Sequence, residues 1–176
     1  MKARDVVNIL TLVLAVLLLG GEATLWAVNP LHVPAKFLPA RALGLQLFRA
    51  QGAAMDPTVS AGQRVLISAW SYWLDPPRAG DIVAFAYPGD PGIADLKRII
   101  AVGGSTIAIK DGAVYVDGTR QDEPYLHAAD GSPGSSMRAF RVPPDSFFVM
   151  GDYREQSEDS RNYGSITRAS IIGKRW

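Results

Sequence analysis

Beyond residue 28, Gly and Pro interrupt this chain so often that a long helix has little room to form. Turn signals recur roughly every eight to twelve residues, with short apolar runs between them, the pattern of an antiparallel sheet or barrel-like domain. The 176 residues include 17 Gly and 12 Pro, which suits a loop-rich β protein better than a helical bundle. The strand candidates are Arg64 to Ser68, Asp81 to Tyr87, Asp95 to Val102, Thr106 to Lys110, Ala113 to Asp117, Arg138 to Val142, Ser146 to Met150 and Ile166 to Trp176. Asp111-Gly112 between two of them is a strong hairpin signal. Arg41 to Gln51 fits either a short helix or a strand. Gln121 to Ser136, polar and rich in Gly, Ser and Asp, reads as a mobile loop.

The first thirty positions differ from the rest. Lys2 and Arg4 precede an apolar run from Val6 to Val28. A bilayer span needs about 20 mostly apolar residues, and the run reaches that length with Glu22 near one end. Trp26 falls where an interfacial ring is favoured, and the positive N-terminus argues for an inside start. The expected organisation is a cytoplasmic N-terminus (1–5), a transmembrane helix (6–28), a connector (29–48) and an extracytoplasmic β-rich domain (49–176). Trp70, Tyr72 and Trp73 either dip into the lipid interface or complete the core.

Composition excludes several function classes. A net charge of +1 without a basic stripe gives nucleic acid no electrostatic footing. The chain has no Cys, and its two His are His32 and His127, so disulfides and thiolate metal sites are excluded and no metal or other cofactor is expected.

Three stretches carry chemistry. The first is Gly52-Ala53-Ala54-Met55-Asp56-Pro57-Thr58. The second is Lys97-Arg98-Ile99-Ile100, where strand alternation puts Lys97 on the face of Ile99 and Ala101 and turns Arg98 the other way. That arrangement supports a buried Lys97 and an exposed or paired Arg98, although this stretch alone reads better as two surface charges on an edge strand and only the accompanying stretches reverse that. The third is Gly151-Asp-x-Arg-x-x-Ser-x-Asp-Ser-Arg161, seven defined residues in eleven positions. Taken by itself the third stretch also reads as a polar surface loop.

In this order the three stretches resemble the boxes of bacterial type I signal peptidases, membrane-bound serine peptidases with a Ser/Lys dyad. The resemblance covers Arg49 to Trp176. It implies an outward-facing peptidase that removes signal peptides from exported preproteins, working at the bilayer and needing no cofactor. It also implies the residue roles. Ala54 stands at the nucleophile position, Lys97 is the general base and Ser157 orients Lys97. Asp159 and Arg161 form a structural ion pair, and Asp152 supports the site. The backbone N–H of position 54 is an oxyanion donor, Gly52 matches members with glycine there, and Met55 helps line shallow pockets for small side chains. Neutral Lys97 would take a proton from a serine at 54 and later activate water.

The departures from the family pattern are Ala54 for serine, Tyr153 where asparagine is frequent, Gly104-Ser105 where Gly-Asp is usual, and a short segment before the third box. Ala54 has three explanations: an engineered replacement that traps substrate or stops self-cleavage, a natural inactive homologue that binds preproteins, or recruitment of another hydroxyl such as Ser60. Retention of Lys97, Ser157, Asp159 and Arg161 favours the first. A Ser-His-Asp hydrolase using His127 lacks a Gly-x-Ser-x-Gly elbow. A conjugation-linked or pilin-processing relative would share the mechanism and differ in substrate.

Overall fold

The structure, a computed structural model, describes residues 44–126 and 135–176. The chain divides into two compact units, Met1–Leu45 and Gln46–Trp176, and the described residues fall almost wholly in the second. The expected transmembrane helix at 6–28, most of the connector, and His127 lie outside the described residues. Among the described residues no helix is long and apolar enough to cross a membrane.

Among the described residues eleven strands form two sheets. In chain order they are β1 (Leu45–Arg49), β2 (Arg64–Ser68), β3 (Ile82–Tyr87), β4 (Asp90–Val102), β5 (Thr106–Lys110), β6 (Ala113–Val116), β7 (Thr119–Arg120), β8 (Met137–Arg141), β9 (Ser146–Met150), β10 (Ile166–Thr167) and β11 (Ile171–Arg175). Two short helices are α1 (Ser71–Leu74) and α2 (Ser160–Tyr163). The larger sheet has the order β1-β2-β11-β3-β4-β9-β10 and the smaller β7-β6-β5-β8. Pairing is antiparallel throughout the smaller sheet and from β2 across to β10 in the larger.

Burial explains why β3 and β9 read as nearly continuous apolar runs. A strand covered on both faces has no polar side to alternate with. In β9, Phe148 and Met150 pack with Ile107, Ile109 and Val114 of the smaller sheet. The intervening Phe147 and Val149 join Val83, Phe85 and Ile99 on the opposite face. A third cluster, with Met55, Val59, Val65, Ile67 and Leu96, seats the first box against β2 and β4.

The expected Asp111-Gly112 hairpin forms, with φ of 50° and 84° at its two central residues. A second Asp-Gly turn, Asp117-Gly118 with φ of 49° and 80°, adds β7, which the sequence reading did not separate. In both turns the positive φ values follow the strand twist that two-residue hairpins need.

Several expectations change. The strand carrying the second box begins at Asp90 rather than Asp95, so β3 and β4 meet in a tight hairpin with Tyr87 opposite Asp90. Arg41 to Gln51 resolves to a strand at Leu45–Arg49. The closing stretch is not one strand: β10, a 3-10 turn at Arg168–Ser170 and β11 share it. Residues 121–126 are not a loose loop, because Glu123 forms a nearly buried ion pair with Arg154. Ser71–Leu74 is a short helix, and Trp70 before it is 43% exposed.

Phe148 is 1% exposed and its ring lies 5.8 Å from that of Phe140 on β8, joining the two sheets. Phe148→Ala is expected to cost about 3–5 kcal/mol, while Trp176→Ala at the exposed C-terminus should stay within about 0.5 kcal/mol. Urea unfolding of the two variants checks the contrast.

Candidate active site

The first box follows β1 as a compact turn. The Val59 N–H donates to the Met55 carbonyl and the Asp56 N–H to Ala53. Met55, 3% exposed, anchors the turn in the core. The Ala54 carbonyl accepts the Tyr153 N–H at 3.0 Å, so the third box lies directly against position 54. Gly151 is the tightest point of that contact. A Cβ built there would collide with the Ala54 carbonyl and with Ser157 Oγ.

β4 brings the second box. Arg98 pairs with Met150 on β9, and one step further along the same ladder sets Lys97 beside Gly151. Lys97 is 3% exposed, as alternation on the strand implied. Its Nζ donates to Asp95 Oδ2 at 2.6 Å.

Arg98 points the other way and is paired. Its Nε and Nη2 reach the two oxygens of Asp152 at 2.8 and 2.6 Å. Nη2 also reaches Thr58 Oγ1 at 3.3 Å, and the Tyr125 ring stacks 3.8 Å from the guanidinium. Thr58, Arg98 and Asp152 come from three different boxes, so this one side chain joins all three. Burial, with the Glu123 carboxylate second, pushes the Tyr125 hydroxyl above the ordinary phenol range, where it stays a neutral donor to Glu123.

The third box is not a surface loop. Asp152, Arg154, Asp159 and Ser160 are buried. Asp159 accepts from Arg161 Nε at 2.8 Å and Nη2 at 2.9 Å, and from the Gly151 N–H at 3.1 Å. Asp159 caps α2, its side chain accepting the Arg161 N–H while Asn162 answers the Asp159 N–H. Arg154 Nε donates to the Gly151 carbonyl at 3.0 Å, and its guanidinium pairs with Glu123.

Ser157 departs from its expected partner. Its Oγ donates to Asp159 Oδ2 at 2.8 Å rather than to Lys97. The Asp159 carboxylate, already held by Arg161, is the stronger acceptor, since hydrogen bonds to ionised groups are roughly twice as strong as neutral ones. Ser60, the other candidate hydroxyl, is exposed on the far side of Pro57.

Beside Ala54 lies a cavity of about 20 Å³ lined by Ala50, Gly52, Ala54, Met55, Asp95 and Leu96, among others. Gly52 and Met55 are thus both at its wall. A volume of this order holds one water or a methyl group. Among the described residues no group of three or more His, Cys, Asp or Glu is placed to hold a metal ion.

Antiparallel sheets set a buried lysine against Asp95 and lay the Gly-Asp-x-Arg-x-x-Ser-x-Asp-Ser-Arg turn on the Ala54 carbonyl, an arrangement that belongs to a class already known. The family described as signal peptidase, peptidase S26 matches residues 24–175. The chain is 38% identical over 127 residues to a probable signal peptidase I-1 of Synechocystis sp., covering 68% of this chain and 63% of that protein. It is 34% identical over 146 residues to signal peptidase I of Leptolyngbya laminosa, covering 76% and 70%. It is 32% identical over 140 residues to signal peptidase IB of Staphylococcus aureus, covering 70% and 72%. The chain belongs to the signal peptidase, peptidase S26, family. It spans less than two thirds of the length of the Synechocystis relative.

Sequence reasoning passed over Asp95 and Glu123, and it gave Thr58 and Arg154 no role beyond membership of their boxes. Strand alternation could have found Asp95, two residues before Lys97 on the same face. Nothing local signals that Glu123 meets Arg154, because 31 residues separate them.

Arg98→Met leaves the Asp152 carboxylate, 0% exposed in its side chain, buried without its cation. That is expected to cost about 3–5 kcal/mol, and adding Asp152→Leu should recover much of it, because the stranded charge is removed. Chemical unfolding of the single and double variants reads the difference.

Proposed function

We propose that the cavity beside Ala54 receives a small side chain of an exported preprotein, next to the bond a signal peptidase cuts, and that this chain holds that segment without cutting it. The single observation that carries the reading is the cavity itself. It has room for a methyl group and is walled by the residue at the nucleophile position. The relatives' names, signal peptidase I and IB, support the substrate class. In this reading residues 6–28 anchor the domain to the bilayer, with the β domain on the outer face. Its partners are signal peptides and lipid.

Ala54 offers no side-chain oxygen, so no acyl-enzyme forms on it. With serine at 54 the chemistry is that of a dyad. Neutral Lys97 takes the hydroxyl proton as Oγ bonds to the carbonyl carbon of the small residue. The backbone N–H of position 54 donates to the developing oxyanion. The C–N bond breaks, and the proton on Lys97 passes to the leaving amine. Lys97 then takes a proton from water as hydroxide adds to the ester carbon, and serine leaves with that proton. Ser157 acts through Asp159 and Arg161, which hold the third box against position 54.

The test uses a preprotein with small residues before the cut and the full chain in detergent or liposomes. The chain as given should bind without cleavage. Ala54→Ser should gain cleavage at the small-residue site, and Ala54→Ser with Lys97→Ala should lose it. A folded Ala54→Ser chain that cuts none of several preproteins under any variant background overturns the peptidase reading.

A further inference from the structure

Asp95 and Lys97 stand two residues apart on β4 and leave the same face of the strand. The Lys97 side chain is 4% exposed and that of Asp95 26%. Both oxygens of the Asp95 carboxylate are engaged. Oδ2 accepts from Lys97 Nζ at 2.6 Å, and Oδ1 accepts from the Leu96 N–H at 2.7 Å. The backbone bond fixes the carboxylate, and the carboxylate in turn fixes the lysine. Asp95 also lines the cavity beside Ala54, and Lys97 meets that wall through its bond to Asp95.

The other charged and titratable groups around this pair are already engaged or neutral. Asp159, from the third box, is taken up by Arg161, the Gly151 N–H and Ser157. Glu158 accepts the hydroxyl of Tyr87, which comes from β3. Tyr163 of α2 packs edge-on against Tyr87 at 5.6 Å. Its buried hydroxyl has no hydrogen-bond partner among the described residues. Burial, then Asp95 and Asp159, push that hydroxyl above the ordinary phenol range, so it adds no charge. Asp95 is therefore the carboxylate in contact with Lys97.

We propose that Asp95 is a positioning residue that locks Lys97 into an ion pair at the cavity wall, so that a serine placed at position 54 meets an occupied ammonium rather than a free base. The chain then carries two obstacles to cleavage: the missing hydroxyl and the engaged lysine. Restoring the hydroxyl alone recovers only a fraction of the rate. Removing the carboxylate frees Nζ to accept the serine proton, with no change in the bonds made and broken. The cleavage part of this proposal rests on the peptidase reading above, and the ion-pair part does not.

Two measurements test it. The chain has five lysines, Lys2, Lys36, Lys97, Lys110 and Lys174, so carbon-13 labelling at lysine Cε gives a spectrum simple enough to follow through a pH titration. The Lys97 signal is identified by its absence in Lys97→Arg. In Asp95→Asn, Lys97 should lose its proton at a pH lower by about one unit, roughly tenfold in proton affinity. An unchanged midpoint overturns the lock. Asp95→Ser, also uncharged, serves if Asp95→Asn does not fold. In the second measurement, preprotein cleavage by Ala54→Ser is compared with Ala54→Ser plus Asp95→Asn, and the double variant should be about tenfold faster or more. Equal rates overturn the proposal. If neither variant cleaves, the peptidase reading falls, while the titration still decides the ion pair.

Discussion

The Arg98–Asp152 pair is the constraint on which the rest of the site depends. One guanidinium reaches two carboxylate oxygens and a threonine hydroxyl, and those partners come from segments 40 and 54 residues away. Arg suits this place because its planar fork meets a carboxylate at two points and its face stacks on an aromatic ring. Tyr125 supplies that ring. Such a pair adds little net stability over a well-packed apolar substitute, yet breaking it strands a buried charge. Its contribution is register. With Arg98 fixed, β4 cannot slide against β9, and Lys97 on the opposite face is held beside Asp95.

The same logic extends outward from Asp152. Arg154 holds the Gly151 carbonyl and pairs with Glu123 from the end of the smaller sheet. Asp159 caps α2 and draws in Arg161, Gly151 and Ser157. A polar segment can be buried only if its donors and acceptors find partners, and here each buried charge has an opposite one. The third box is thus a fully paired polar core laid against the Ala54 carbonyl. Gly151 is small enough to permit that contact, where any Cβ would strike both neighbours.

Much of this was legible in the sequence, for identifiable reasons. Strand alternation turned Lys97 and Arg98 to opposite faces, and the accompanying boxes decided that Lys97 is the buried one. Asp111-Gly112 gave the hairpin, because positive φ at both central residues is favoured by that dipeptide. The family likeness joined three stretches that no periodicity connects. The misses have physical causes as well. The polarity of residues 121–126 suggested looseness, but Glu123 is polar because it meets Arg154. The run from Ile166 to Trp176 looks uniform, yet β10 and β11 pair with different strands of one sheet. Ser157 was assigned a bond to Lys97 by likeness, whereas a nearby carboxylate competes better for its hydrogen. The expected membrane span at 6–28 lies outside the described residues, so its reading rests on the sequence.

Retention of the boxes around Ala54 looks at first like the mark of a nucleophile only recently lost. The structure gives that retention another cause. Arg98, Asp152, Asp159 and Arg161 are joined in ion pairs in which both carboxylates are fully buried, so any one of them is costly to lose whether or not position 54 bears a hydroxyl. Lys97 has a partner of its own in Asp95 and would leave that carboxylate without its cation if replaced. None of these residues needs a serine at 54 to be kept in place. Their presence therefore weighs equally for an engineered replacement and for a natural chain that binds without cutting. The residue that separates the two is Asp95. Under the proposed lock its carboxylate keeps Lys97 engaged whatever stands at position 54, which favours a chain that binds without cutting.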